Sequence, residues 1–250
     1  MLCIRRKAQV TTFVIVGVVI LFIVGTLIYT QAIRKDSGSK AVVGIMRAQH
    51  VDQVYKFVES CVKEVVPEGL FLLGAQGGYV KLPADALQTE EGKIAFFFKA
   101  GQPSVPSLEV INSQMALFVR ENLPKCTDFA KFPGMQITPS QISTESIFSN
   151  KDSIVKVKFP LSIAKDGTTS RLDDEYVVKL PVRFRYVYEK AREIVAMEVK
   201  DSENIDLVLL LETDLDINII PQGDNLVYAI TDKSSLVEEV PFTLMFANSF

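Results

Sequence analysis

The chain has 250 residues, with 27 Lys+Arg against 30 Asp+Glu, 48% hydrophobic residues, three Cys, one His and no Trp. This is too apolar and too evenly charged for a disordered chain, and too poor in Cys for a small disulfide scaffold. A net charge of −3 without a concentrated basic face argues against a nucleic-acid partner.

The raised mean hydropathy of +0.22 traces to one segment near the start. No charge occurs from Ala8 to Ile33, and fourteen of the twenty residues from Val10 to Tyr29 are Val, Ile, Leu or Phe. As a helix, twenty residues span roughly 30 Å, the thickness of a bilayer's hydrocarbon core. The sequence therefore predicts a basic leader over 1–8 and a transmembrane helix over 9–33. Arg5, Arg6 and Lys7 ahead of the run, with the amino terminus, outweigh Arg34, Lys35 and Lys40 offset by Asp36. That bias places the N-terminus in the cytoplasm and the C-terminal body outside, in a single-pass protein of the cell membrane. A cleaved secretory signal is the competing reading, but its apolar stretch is normally about 7–15 residues.

The run Arg6-Lys7-Ala8-Gln9-Val10-Thr11-Thr12-Phe13 and the apolar helix behind it resemble the class III signal peptides of archaeal type IV pilin-like proteins. The resemblance implies cutting by a prepilin-type peptidase between Ala8 and Gln9, with Lys7, Ala8 and Gln9 as the processing residues and the helix left in the membrane lipid. An uncut signal anchor is the alternative. Loss of the three basic leader residues would leave 24 Lys+Arg against 30 Asp+Glu, a net charge of −6. Two features depart from a pilin. Phe13 stands at the fifth mature position, where bacterial pilins carry Glu, and Asp36-Ser37-Gly38-Ser39 reads as a helix stop followed by a new N-cap.

Beyond that break, Val43, Met46, Val54, Phe57, Cys61 and Val65 recur at helical spacing from Ala41 to Val66, and Pro67 is expected to kink or end the helix. Leu70 to Leu73 reads as a short apolar turn before a Gly74-to-Tyr79 loop. Strands are predicted at Tyr79–Leu82 and Ile94–Lys99, and a helix at Ser107–Asn122 with Leu108, Ile111, Met115, Phe118 and Val119 inward. The stretch from Pro139 to Ser153 reads as polar and irregular. Alternation from Val155 to Ile163 predicts a strand in which Pro160 implies an edge position or a bulge, paired with Tyr176–Val182 across a Lys165-Asp166-Gly167 turn. A helix at Arg185–Val199, an apolar turn at Ile205–Leu211 and strands at Asp214–Ile220, Asn225–Thr231 and Phe242–Ala247 complete the chain. Helices and strands in blocks give an α+β fold, amphipathic helices on an antiparallel sheet, with a mainly helical lobe at 34–138 and an α+β lobe at 139–250.

Cys3 lies in the leader, so Cys61 and Cys126 are the pair that an oxidising compartment would join; two buried free thiols are the other reading. Catalytic patterns are thin. Ser60-Cys61-Val62-Lys63 matches the S-x-x-K of serine acyltransferases, without the S-D-N or K-T-G partners. A single His, His50, removes multi-His metal sites and weakens a Ser-His-Asp proposal. Gln76, Gly77, Gly78 and Tyr79 have the glycines of a phosphate cradle but no following Lys-Ser or Lys-Thr, which makes them weak binding candidates best explained as a helix stop. Asp173-Asp174-Glu175 and Asp214 with Asp216 offer oxygen ligands without the spacing of a calcium loop. Neither a metal nor a cofactor is expected. The Cys61 helix, the run from Gln76 to Pro83 and the ending Tyr228 to Asp232 are similar to archaeal surface proteins with such a leader. Two functions are consistent with these residues. One is a non-enzymatic anchored extracytoplasmic protein, a pilin-like subunit that self-assembles or a module that binds other surface proteins. The other is an anchored ligand-binding or hydrolytic domain acting on the cell envelope.

Overall fold

The computed structural model describes residues 49–90, 92–200 and 213–249. The leader, the expected transmembrane helix, the start of the helix from Ala41 and the apolar turn at Ile205–Leu211 lie outside the described residues. Among the described residues no helix is long and apolar enough to cross a membrane.

The first described element is α1, Gln49–Ala75. Its first turn falls in a unit of residues 1–52, and residues 53–250 form a second unit. Within the second unit, Val54, Val58, Cys61, Val62, Val65, Val66, Leu70 and Leu73 are all at most 3% exposed. They recur at the three- and four-residue spacing that puts one stripe of a helix inward. Pro67 does not end the helix as the sequence suggested. Its ring removes one backbone bond to Lys63, at a cost of about 3 kcal/mol, but Lys63 is exposed and its carbonyl can face water. Burying Leu70 and Leu73, each contributing about 1.5–3 kcal/mol, offsets the loss and carries the helix eight residues further.

Next come the short strands β1 (Leu87–Gln88), β2 (Lys93–Ile94), β3 (Phe96–Lys99) and β4 (Gln102–Pro103), then helix α2 (Leu108–Cys126). Ser107 caps α2 by accepting from the Val110 N–H at 3.4 Å. After a 3₁₀ turn at Phe129–Lys131 follow β5 (Gln136–Pro139), β6 (Ser143–Phe148), β7 (Ser153–Lys158), β8 (Leu161–Lys165), β9 (Thr168–Leu172) and β10 (Glu175–Leu180). Helix α3 (Phe184–Glu198) and strands β11 (Asp216–Gln222), β12 (Asn225–Val237) and β13 (Val240–Ser249) complete the order.

The described strands form four sheets: β1-β2, β10-β7-β6, β11-β12-β13-β3-β4 and β5-β8-β9. All pairs are antiparallel except β13 with β3. The fold is thus α+β and rich in antiparallel sheet, as the block pattern implied. The five-stranded sheet takes strands from both the 34–138 and the 139–250 segments.

Several local expectations change. The stretch read as irregular contains β6, whose outward residues Ser143, Glu145 and Ile147 are exposed while Ser146 and Phe148 are buried. The single strand expected from Val155 to Ile163 is two, because at Phe159-Pro160 the chain leaves one sheet for another. Asp166 and Gly167, with φ of 49° and 74°, close the two-residue hairpin of β8 with β9 rather than a long link to β10. Tyr79–Leu82 is not a strand but a loop, fixed by Val80 and Lys81 N–H groups donating to Gln114 Oε1 at 2.9 and 2.8 Å.

Aromatic contacts join separate layers and also run across one sheet. Tyr55 of α1 stacks on Tyr176 of β10 at 5.1 Å, and Phe97, Phe246 and Tyr228 stack across β3, β13 and β12 at 4.6 and 5.0 Å. Phe184 of α3 lies against both Phe148 and Phe242, at 4.3 and 5.5 Å. At Gly74 the end of α1 meets β13 so closely that a Cβ would sit 2.4 Å from the Thr243 carbonyl oxygen. Gly74→Ala should therefore destabilise the fold by about 1–3 kcal/mol through overpacking, seen as an earlier urea midpoint; an unchanged midpoint would refute this close approach.

Candidate functional site

Lys7, Ala8 and Gln9 lie outside the described residues. Cys61 and Cys126 are joined, with an S–S distance of 2.06 Å and Cα atoms 5.7 Å apart, tying the middle of α1 to the last residue of α2. The bridge closes a 65-residue separation, and restricting the unfolded chain that far is worth about 4 kcal/mol. A Cys61→Ala/Cys126→Ala protein should lose about 2–5 kcal/mol of unfolding free energy. In denaturant melts its midpoint should fall and its slope rise, because the unfolded chain expands.

The glycine loop is a helix stop. Gly77 and Gly78 have φ of 68° and 84°, and the Gly78 N–H donates to the Leu73 carbonyl at 2.6 Å. A Cβ on Gly78 would lie 2.9 Å from Ile111 Cγ1, and one on Gly77 3.1 Å from the Met245 carbonyl oxygen. The glycines thus serve the packing of α1 on α2 and β13. Gln76 Oε1 is buried without a hydrogen-bond partner among the described residues, and its side chain lines a cavity of about 220 Å³ with Thr89, Lys93 and Met245. Burial raises the pKa of the Tyr79 hydroxyl.

The remaining motifs resolve into surface chemistry. Ser60 is exposed, and Lys63 is paired with Glu59 at 2.9 Å. Asp173 meets Arg171 at 3.3 Å, Glu175 meets Lys158 at 3.9 Å, and Asp216 meets Lys233 at 2.8 Å. His50 is half-buried in the first turn of α1. Among the described residues no group of three His, Cys, Asp or Glu side chains could hold a metal.

Two buried polar clusters were not foreseen. Arg183, just ahead of α3, grips Asp232 of β12 with Nε and Nη2, both at 2.8 Å, and Nη2 also reaches Asp214 at 2.8 Å. Asp232 is fully buried. It also accepts from the Ser234 N–H at 2.9 Å and from the Ser235 hydroxyl, whose Oγ in turn accepts from the Arg183 N–H. Burial works against ionisation of Asp232, yet the hydrogen bonds from Arg183, Ser235 and Ser234 hold its pKa below the ordinary value. For Arg183 the bond to Asp232 is the main cause of a raised pKa. Truncating one partner of such a pair strands a buried charge. Arg183→Met should cost about 3–5 kcal/mol, whereas Asp214→Asn, at a carboxylate 54% exposed, should cost under about 1 kcal/mol; chemical denaturation of the two variants checks the contrast.

At the other end of α3, Glu198 is 4% exposed and accepts from the Tyr228 hydroxyl and the Asn248 side-chain amide. Burial raises the Glu198 pKa despite these two bonds, and burial together with Glu198 raises that of Tyr228. The helix C-terminus is also an unfavourable place for a carboxylate. Because the folded pKa lies above the unfolded one, this group's contribution is fully present below the ordinary glutamate pKa and is lost as pH rises through the folded value. Glu198→Gln should therefore flatten the fall in unfolding free energy between acidic and neutral pH, measured by denaturant melts at stepped pH. Equal slopes for variant and parent would sink the assignment.

A cleft of about 690 Å³ runs between the start of α2 and the outer side of α3. Val105, Leu108, Val195 and Ala196 supply apolar lining, and Glu109 and Arg192 bring charges of both signs. A hydrogen bond from Ser107 lowers the Glu109 pKa. The Tyr188 hydroxyl donates to the Pro106 carbonyl at 2.9 Å and fixes the distance between the two walls. No known protein family, no curated protein and no solved structure matches this chain.

Proposed function

We propose that this chain is a non-enzymatic, single-pass membrane protein whose body, residues 34–250, stands outside the cytoplasm as a pilin-like or other surface structural and interaction component. The carrying observation is the Cys61–Cys126 bridge. Structural disulfides persist in oxidising compartments and are rare in the cytosol, and the one segment able to hold such a body at a membrane is the uncharged run from Ala8 to Ile33. Arg5, Arg6 and Lys7 would remain on the cytoplasmic side, where Lys7, Ala8 and Gln9 would meet a prepilin-type peptidase. The bridge and the run are independent features, one of covalent chemistry and one of hydropathy, and both are consistent with a body held outside the cytoplasm.

The test is mass spectrometry of the N-terminal peptide from isolated membranes, with and without reduction and alkylation of the body. A first residue of Gln9 supports the processed, pilin-like form and Met1 an uncut anchor, with Cys61 and Cys126 protected until reduced in either case. A first residue of Ile33, or freely alkylated thiols before reduction, would overturn the anchored reading. Shearing of cells then separates the two structural roles: a filament subunit is released as a polymer, and an interaction module stays with the membrane.

A further inference from the structure

Beside the C-terminal turn of α2 lies a second cavity, of about 340 Å³, walled by Arg120, Pro124, Phe129, Pro139, Ile142 and Phe159. Its walls come from separate segments, each held locally. The Thr127 N–H and hydroxyl both donate to the Leu123 carbonyl, at 3.0 and 2.9 Å, and end α2. Asp128 then accepts from the Ala130 N–H at 3.0 Å and starts the 3₁₀ turn that carries Phe129. Phe129 lies against Phe159 with ring centroids 6.2 Å apart. The Ser140 N–H donates to the Pro160 carbonyl at 2.8 Å, which fixes the connection between Pro139 and Ile142.

Charge sets this cavity apart from the larger cleft. Its described lining holds one charged residue, Arg120, and no acidic one. Arg120 makes no hydrogen bond or ion pair with any described residue. Several surface cations are matched, Lys99 with Asp85, Lys179 with Asp152 and Arg185 with Glu189; what marks Arg120 is its place on the wall of a mostly apolar cavity. A planar guanidinium fork suits a carboxylate, which it binds through two parallel hydrogen bonds. Five apolar residues beside it, with Thr127, Ser140 and Gln141 completing the lining, suit a hydrocarbon or aromatic group attached to the carboxylate. The volume is near the lower end of the roughly 300–1,000 Å³ range of small-molecule sites.

We infer that this cavity binds a small apolar carboxylic acid, its carboxylate on Arg120 and its aryl or short alkyl group against Phe129, Ile142 and Phe159. The site belongs to the folded body and does not depend on the membrane reading. The test uses the full chain in lipid nanodiscs, with empty nanodiscs as reference, and compares 4-phenylbutyrate with its uncharged analogue 4-phenylbutanol by saturation-transfer NMR and calorimetry. The acid should bind at least tenfold more tightly than the alcohol. Arg120→Gln, a change at an exposed side chain, should remove that margin while leaving the unfolding midpoint in place. Ile142→Trp, which fills the cavity, should remove binding of both compounds. Equal binding of acid and alcohol, binding of the acid that survives both substitutions, or no binding at millimolar concentration would each overturn the inference.

Discussion

The apolar stripe of α1 has to be covered along its length, and much of the described body is arranged to cover it. From Val54 to Leu73 the inward residues are all but fully buried, and at about 1.5–3 kcal/mol for each large side chain they form the main reservoir of hydrophobic stabilisation in one element. Tyr55 meets the β10-β7-β6 sheet, Phe57 reaches Phe129 and Phe132 around the 3₁₀ turn, and Gly74 touches the five-stranded sheet. The helix therefore has to be long, since three separate layers take their positions from it. Pro67 is tolerated for that reason, and the C-terminal glycines stand where the helix ends in close contact with β13 and α2.

Helix α3 is placed by polar chemistry instead. Arg183 at its start and Glu198 at its end both reach β12, at Asp232 and Tyr228, so each end of the helix is fastened to the same strand. The two fastenings respond oppositely to acid. Asp232 stabilises while ionised, and that contribution is lost as pH falls through its lowered pKa; Glu198 stabilises while protonated, and its contribution is lost as pH rises. Protonated Glu198 can also donate, and Asn248 Oδ1, buried without a partner among the described residues, becomes its acceptor once that amide is turned over. The two pH-dependent contributions are therefore fully present together only at pH values between the two pKa values.

The parts of this architecture legible in the sequence were those governed by local periodicity. The α3 boundaries differ by one residue from those the apolar spacing gave, and Ile217 and Ile219 marked β11 by alternation. β6 and β9 escaped because Ser143, Thr144, Glu145, Thr168, Thr169 and Ser170 are polar, and their pairing is decided by β7 and β8 rather than by their own propensity. Pro67 misled because its local cost is visible and the compensating burial of Leu70 and Leu73 is tertiary. Of the site residues, the Cys pair could be read by elimination of Cys3. Arg183 and Asp232, 49 residues apart, could not be paired, although Asp232 ahead of Ser234 and Ser235 carried the signature of a side-chain-capped turn. Arg120 carried no signal at all, since what distinguishes it is its place in space beside Phe129, Ile142 and Phe159.

The position of the disulfide acquires a reason on the anchored reading. The chain that would enter the membrane is covalently continuous with α1, so tension on that tether is delivered first to this helix. Noncovalent packing resists such a load only by the free energy of burial, a few kcal/mol for each side chain pulled out of the core, and gives way one side chain after another. Cys61 lies twelve residues into α1 from Gln49, among its most buried positions, and its partner sits at the end of a different helix. A pull that frays the first turns of α1 is halted at Cys61, because further withdrawal would have to drag α2 with it. On that reading the same bridge placed near Ala75 would protect the end of the helix that the load reaches last, whereas at Cys61 it secures the second half of α1.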